Sequence, residues 1–247
     1  MISYTGGGGA EELHGFICHH LAELHAMAPG RHYELSFAPE LGIGPAGRPR
    51  ERFFIDLLAA RQLGRLGRLG RSGQRGEALL RSVAVRGHIS GLLIDDASAG
   101  LGRDGLLLHC AGARVRLHER HVLVWALLCD ALARAGRDPR SAHLPHGLPQ
   151  LCACSTYPDP LATERPDVIY FDPMYPTART RGQVRRDMQL FRELVGCDPD
   201  QGQVLCGLRQ RARFRVVVKR PRSASPLLSD VSYHIAAGQC RFDCYVC

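Results

Sequence analysis

Leu92-Leu93-Ile94-Asp95-Asp96-Ala97-Ser98-Ala99-Gly100-Leu101-Gly102-Arg103-Asp104-Gly105 is the stretch that decides the fold. An apolar run ends in two acids, and a glycine-rich loop follows. Leu92–Asp95 reads as a strand and Arg103–Ala111 as a helix that opens straight from the loop. The spacing Gly100-x-Gly102-x-x-Gly105 matches the dinucleotide fingerprint, and Glu119 lies nineteen residues beyond Gly100. A NAD(P)-dependent oxidoreductase is therefore one reading. The two acids favour another. A pyrophosphate seeks bare backbone N–H groups at a helix N-terminus, and carboxylates at the strand mouth would repel it. S-adenosylmethionine carries cationic amino and sulfonium groups, which carboxylates attract. Glycines let the backbone approach such a ligand closely. Glu119, after the next strand, is placed to accept both ribose hydroxyls.

Outward from this loop the chain alternates strand and helix. Arg114–His118 reads as a strand and Val122–Ala135 as an amphipathic helix. Leu148–Cys154 is a weaker strand, and Val168–Phe171 a strong one. Gln183–Val195 and Val204–Ala212 read as helices and Phe214–Val218 as a strand. Val231–Ala236 and Phe242–Val246, joined at Gly238, read as a hairpin. Such alternation implies a mostly parallel sheet covered by helices, with ligands beyond the carboxyl ends of its strands. A terminal antiparallel hairpin on a seven-stranded sheet fits the class I methyltransferase version of this Rossmann-like α/β fold.

A second loop lies at another strand end. Asp172-Pro173-Met174-Tyr175-Pro176 follows Val168-Ile169-Tyr170-Phe171. Two prolines fix φ at two of its five positions. A stiff loop suits a residue that must be held accurately against a reacting atom. The lone pair of an exocyclic amine on a base is delocalised into the ring, so the amine is a poor nucleophile. Asp172 could accept its hydrogen, Pro173 would stiffen the loop, and Tyr175 could stack on the ring. A base must be unstacked to reach such a pocket. Taken together, the two loops point to methylation of an exocyclic amino group.

These strings resemble a known family, ribosomal RNA small subunit methyltransferase J. The resemblance rests on Asp96–Asp104, on Val115–Arg120, on Asp172–Pro176, on Arg186–Gly196, on Val216–Pro221 and on Arg241-Phe242-Asp243. It runs from about Gly64 to the C-terminus. It implies S-adenosylmethionine as methyl donor and the exocyclic N2 amino group of a guanosine in 16S rRNA as acceptor, on naked rRNA or the 30S subunit. Carried over by position, Arg103, Asp104, Glu119, Arg120, Ser155, Thr156 and Asp172 would contact the cofactor, alongside Asp96, Gly100 and Gly102. Ser98 stands where the family more usually has threonine. Residues 177–181 depart from its usual continuation, and the first sixty residues give no match.

Residues 1–88 differ in character from residues 89–247, which would form the methyltransferase domain. Glu11–Met27 reads as a helix, and His32–Phe37 and Phe53–Leu58 as short strands around a Gly/Pro-rich turn at Gly42–Pro49. Between Arg48 and Arg86 ten arginines face three acids, a net of +7 in a chain whose total is +8. Residues 1–88 would be an accessory region that helps hold RNA. Arg65, Arg68, Arg71 and Arg75 sit among glycines in a stretch too glycine-rich for a firm helix, and would follow a phosphate backbone. Lys219 and Arg220 end a second basic cluster. The competing readings are an N-methyltransferase for DNA, protein or another RNA, and a non-catalytic RNA-binding protein.

The N-terminal stretch has no signal-peptide pattern. Val122–Cys129 is the longest apolar run, far short of the roughly 20 residues that a bilayer requires. A cytoplasmic protein with reduced thiols is expected. Cys240-x3-Cys244-x2-Cys247 has the spacing of an iron–sulfur site, but it ends the chain on a hairpin strand and reads as apolar packing. No metal is expected.

Overall fold

The computed structural model describes residues 2–5, 11–27, 32–72, 77–155, 157, 164–175, 193–196 and 198–247. The central sheet starts with β4 (Leu93–Asp96). It continues through α5 (Arg103–Cys110), β5 (Arg114–Leu117), α6 (Val122–Arg137) and the two-residue β6 (Gln150–Leu151). β7 (Val168–Phe171), α7 (Gln201–Arg211), β8 (Arg215–Pro221), β9 (Tyr233–Ala237) and β10 (Cys240–Val246) complete it. The strand order is β6-β5-β4-β7-β8-β10-β9. β6, β5, β4, β7 and β8 run parallel, and β10 is antiparallel to β8 and β9. The chain winds outward from β4 in one direction and from β7 in the other. Between those two strands lies the switch point where a doubly wound sheet opens a crevice.

Strand residues alternate between two cores. Val168, Tyr170, Val217, Phe242 and Cys244 face the helices that include α5 and α6. Ile169, Phe171, Val216, Val218 and Tyr245 face Leu205 and Leu208 of α7. Burial on both faces explains why β7 is an unbroken apolar string. Phe242 and Cys244 are thus core residues, and no cluster of three or more candidate metal ligands occurs among the described residues. The nine described cysteines are free thiols. No helix among the described residues is long and apolar enough to cross a membrane.

The N-terminal region builds its own three-stranded sheet from β1 (Ile2–Thr5), β2 (Tyr33–Phe37) and β3 (Leu41–Pro45). Helices α1 (Glu11–His19) and α2 (Leu21–Ala26) lie between β1 and β2, so the single helix expected over Glu11–Met27 is broken at His20. Leu13, Ile17, Leu24, Leu35 and Ile43 belong to the same continuous core as α5 and α6. The backbone N–H of Leu41 donates to Asp130 Oδ2 on α6 at 3.2 Å.

Three expectations fail here. The Gly/Pro-rich turn begins as strand β3, and Phe53–Leu58 forms only an isolated bridge from Phe53 to Ile43. The glycines of β3 serve close approach rather than a turn: a Cβ on Gly42 or Gly44 would lie 2.9 Å from Arg52 atoms. The described part of the Arg/Gly stretch lies in the 13-residue helix α3 (Ala60–Ser72), and α4 (Ala78–Val83) follows after residue 76. A Leu-Gly-Arg repeat advances 300° per three residues, so each residue type keeps to a narrow arc. Leu66 is buried and Leu63 and Leu69 are partly buried against the core. Burial of that stripe outweighs the helix cost of the glycines.

Candidate active site

A cleft of about 1430 Å³ opens over the carboxyl ends of β4, β5, β7 and β8. Its floor is acidic. Asp96 ends β4 with 1% exposure, and Oδ1 accepts from Ser98 N at 3.2 Å. Burial, reinforced by Asp104, Asp172 and Glu119, pushes its carboxyl up to about 8. Glu119 lies two residues past β5. Its Oε2 accepts from Gly100 N at 2.9 Å and its Oε1 from His121 N at 2.8 Å. Burial still raises its pKa against those amides. Gly100 has φ +52°, a left-handed conformation that suits glycine, and a Cβ there would meet only Ser98 O at 3.7 Å. Gly102 and Gly105 act differently. A Cβ on Gly102 would lie 2.7 Å from Leu128, and one on Gly105 would clash with Leu117. These two glycines let the loop and α5 pack onto α6 and β5.

The second loop is clamped at each described residue from Asp172 to Tyr175. Asp172 N donates to Ser98 Oγ at 2.6 Å, which ties it to the glycine loop. Pro173 is buried. Met174 N donates to Asp198 Oδ2 at 2.7 Å, and Met174 O accepts from Gln201 Nε2 at 2.9 Å. Tyr175 donates its hydroxyl to Lys219 O, and the Arg220 guanidinium lies 4.3 Å from its ring centroid. Arg220 itself is 8% exposed and donates to Ser225 O and Gln201 Oε1.

A line of alternating charges crosses beneath the cleft. Arg65 Nη1 lies 2.6 Å from Asp104 Oδ1, Lys219 Nζ lies 3.0 Å from Asp104 Oδ2, and the same Nζ lies 2.8 Å from Asp172 Oδ2. Tyr170 Oη donates to Asp104 Oδ2 at 2.8 Å. Although burial would raise it, Lys219 and Arg65 hold the Asp104 carboxyl well below the usual range. Burial and Asp104 raise the Asp172 carboxyl, opposed by Lys219.

The floor fits a cationic ligand. Asp96, Glu119 and Asp172 are three carboxyls that the protein leaves under mutual repulsion or desolvation. A positive ligand relieves both, whereas a pyrophosphate would add to them.

The sequence family described as "Putative SAM-dependent methyltransferase" matches residues 51–247. Three relatives carry the name ribosomal RNA small subunit methyltransferase J. That from Hahella chejuensis is 39% identical over 173 residues, 69% of this chain and 64% of the relative. That from Alkalilimnicola ehrlichii is 44% identical over 175 residues, 68% and 66% of the two chains. That from Photorhabdus laumondii is 40% identical over 174 residues, 70% of each. The chain belongs to the ribosomal RNA small subunit methyltransferase J family. It spans 64% and 66% of the first two relatives, just under two thirds of their length. A solved SAM-dependent methyltransferase from Neisseria gonorrhoeae superposes with a TM-score of 0.68 at 24% identity, covering 100% of this chain and 96% of that one. The fold is the class I methyltransferase fold expected from the strand–helix alternation, and the methyl donor of the matched family is S-adenosylmethionine.

Membership in this family does not by itself place side chains, and the structure sorts the expected site residues. Asp96, Gly100, Arg103, Asp104, Glu119, Arg120 and Asp172 all line the cleft. Arg120 is held by Asp198 and Asp200 at 2.5 and 2.8 Å. Ser155 is not among the lining residues; its hydroxyl donates to Ala153 O at 3.4 Å. Thr156, Arg75 and Pro176, like residues 183–192 of the helix expected over Gln183–Val195, lie outside the described residues, as does the side chain of Arg71, and residues 193–195 are helical. Tyr175 is turned from the cleft, with its ring under Arg220 and its hydroxyl on Lys219, so it braces the loop instead of presenting a stacking face. Lys219 and Arg220 do not form a phosphate-binding patch, because both are engaged internally. Arg65 is likewise paired, with Asp104 and with Glu77 at 3.2 Å. Arg68 is exposed and lines the cleft.

Asp95 corrects the reading of the strand mouth. It is fully buried on the far side of β4, gripped by Arg116 at 2.6 and 2.9 Å and by the Tyr157 hydroxyl at 2.7 Å. Only Asp96 faces the ligand side. Sequence reasoning also missed Ser98, which ties the two loops together, Tyr170, which bonds Asp104, and Asp198 and Gln201, which fix Met174. The available signal was their position beside strand ends and loops already singled out.

Proposed function

We propose that the chain transfers a methyl group from S-adenosylmethionine to the exocyclic N2 amino group of a guanosine in 16S rRNA, acting in the cytoplasm on rRNA or the 30S subunit. The observation that carries this reading is one cleft with two walls. Its floor holds Asp96, Glu119 and the clamped Asp172, and its rim carries the exposed arginines Arg50, Arg61 and Arg68. The name shared by the relatives supports the rRNA part.

In this reading Asp96 and Glu119 hold the cationic and ribose parts of the cofactor, and the Gly100 backbone lies against it. When bound, its sulfonium supplies an electrophilic methyl group. Asp172 accepts a hydrogen of the amine, which pulls the nitrogen toward a localised lone pair, and can receive the proton that the nitrogen sheds. A carboxylate has about four lone-pair sites, and Lys219 occupies one of those on Oδ2. Residues 1–88 form the accessory region that guides the RNA to the cleft.

The test is incubation with labelled S-adenosylmethionine and, separately, 30S subunits, 16S rRNA, DNA and protein. Label should enter 16S rRNA, and mass mapping should place it on a guanine amino group. Label confined to DNA or protein would overturn the substrate. Asp172→Ala should lower kcat by about 10²-fold or more, and retention of full activity would remove Asp172 from the chemistry.

A further inference from the structure

Lys219 is the only lysine in the chain; the other basic residues among the 32 are arginine. It follows Val216-Val217-Val218, all buried, on β8. Its ammonium reaches two acids from different elements, Asp104 on α5 and Asp172 on the loop after β7. A guanidinium is a flat fork suited to gripping one carboxylate. A compact ammonium with three donors is suited to being shared by two. In a chain that otherwise uses arginine throughout, the one lysine stands where sharing is required.

Resting on the reading of Asp172 as the group that holds the acceptor amine, we propose that Lys219 is a positioning residue for methyl transfer. It fixes the Asp172 carboxylate in one orientation at the cleft and keeps it in the charged form that accepts the amine hydrogen. The groups interacting with Asp172 and Lys219 are Asp96, Asp104, Tyr170, Tyr175 and Cys240. Lys219 is the cation directly on Asp172, and burial and Asp104 work against it. Arg65 completes the line, because it holds the other oxygen of Asp104 and so leaves Lys219 to span the gap between the two acids.

The test is a set of pH–rate profiles with S-adenosylmethionine and 30S subunits for wild type, Lys219→Met, Lys219→Arg and Asp104→Asn. Lys219→Met should move the acidic limb of kcat upward by about one pH unit or more. Well below the limb this lowers kcat by about tenfold, with KM for S-adenosylmethionine within about threefold. Asp104→Asn should move the limb the other way, because it removes a like charge and leaves Lys219 wholly to Asp172. Lys219→Arg keeps the charge, so its limb should stay near wild type even where kcat falls. Should Lys219→Met fail to fold, the downward shift in Asp104→Asn still decides. An unmoved limb in both variants, with Asp172→Ala inactive, overturns the role of Lys219 and spares that of Asp172. Full activity in Asp172→Ala overturns the underlying reading instead.

Discussion

Among the described residues Asp96 has no ion-pair partner, and that has a pH signature. An unfolded aspartate titrates at about 3.9, whereas burial and neighbouring acids push Asp96 up to about 8. Between those values the folded state binds the extra proton. The associated stability is therefore full below the unfolded value and is lost as pH rises through about 8. His118 acts in the same direction. Burial lowers it, but hydrogen bonds and charge interactions with Asp95 and Cys152 together outweigh burial and raise it to about 9, so its contribution is full below about pH 6.5 and is lost as pH rises through about 9. The ligand-free protein should melt at a lower temperature at pH 9 than at pH 6.5, and Asp96→Asn should flatten that dependence. A cation at Asp96 favours the carboxylate, so binding of S-adenosylmethionine should release protons and tighten as pH rises toward 8. Calorimetry in two buffers of different ionisation enthalpy measures this directly. Proton uptake on binding, or an affinity indifferent to pH, would take Asp96 out of the cofactor site.

Glycines divide by what surrounds them in each element. Gly64 and Gly67 sit on the exposed side of α3, and nothing lies within 4 Å of a Cβ built there. Each carries the backbone entropy cost of glycine in a helix without a packing reason, so Gly64→Ala and Gly67→Ala should each stabilise by about 0.5–1 kcal/mol. Thermal melts should show it as about 2–4 °C per kcal/mol for a chain of this size. Gly105 on α5 is the opposite case. A Cβ there would clash with Leu117 and sit 3.1 Å from Asp96 Oδ2, so Gly105→Ala should cost about 1–3 kcal/mol. The same contrast marks what the sequence made legible. The glycine loop, β7 and the terminal hairpin follow strong local patterns, and they stand where those patterns place them. Helix α3 and strand β3 do not, because their glycines contradict local propensity and only tertiary burial of Leu66, Leu41 and Ile43 decides. Among the site residues, the acids at strand ends were readable. The inward aim of Lys219 and Arg220 was not, since charge counting is blind to which partner a long side chain reaches.

At the scale of the whole molecule, a +8 chain turns its cleft into a divided surface. Acidic groups are concentrated on the floor at Asp96, Glu119 and Asp172, and positive charge on the rim contributed by the N-terminal region. A polyanion can reach the floor only if the rim outweighs it locally. Much of the arginine content does not contribute to that. Arg65, Arg116, Arg120 and Arg241 are each paired with carboxylates within 3 Å. Arg50, Arg61 and Arg68 are exposed and line the cleft, which leaves them available to phosphates. Counterion release then gives a quantitative expectation. Each phosphate contact contributes about 0.7–0.9 to the slope of log K against log salt. Replacing Arg50, Arg61 and Arg68 together by glutamine should weaken rRNA binding and make that slope shallower by about 2–3. Affinity for S-adenosylmethionine should stay within about twofold, because the rim does not carry the floor carboxylates, and the loss in methylation should fall on KM for RNA rather than on kcat. Filter binding across a salt series, paired with steady-state methylation, measures both. A slope unchanged by the triple substitution would mean that the RNA path runs over another face, and that the two walls of the cleft do not meet on one substrate.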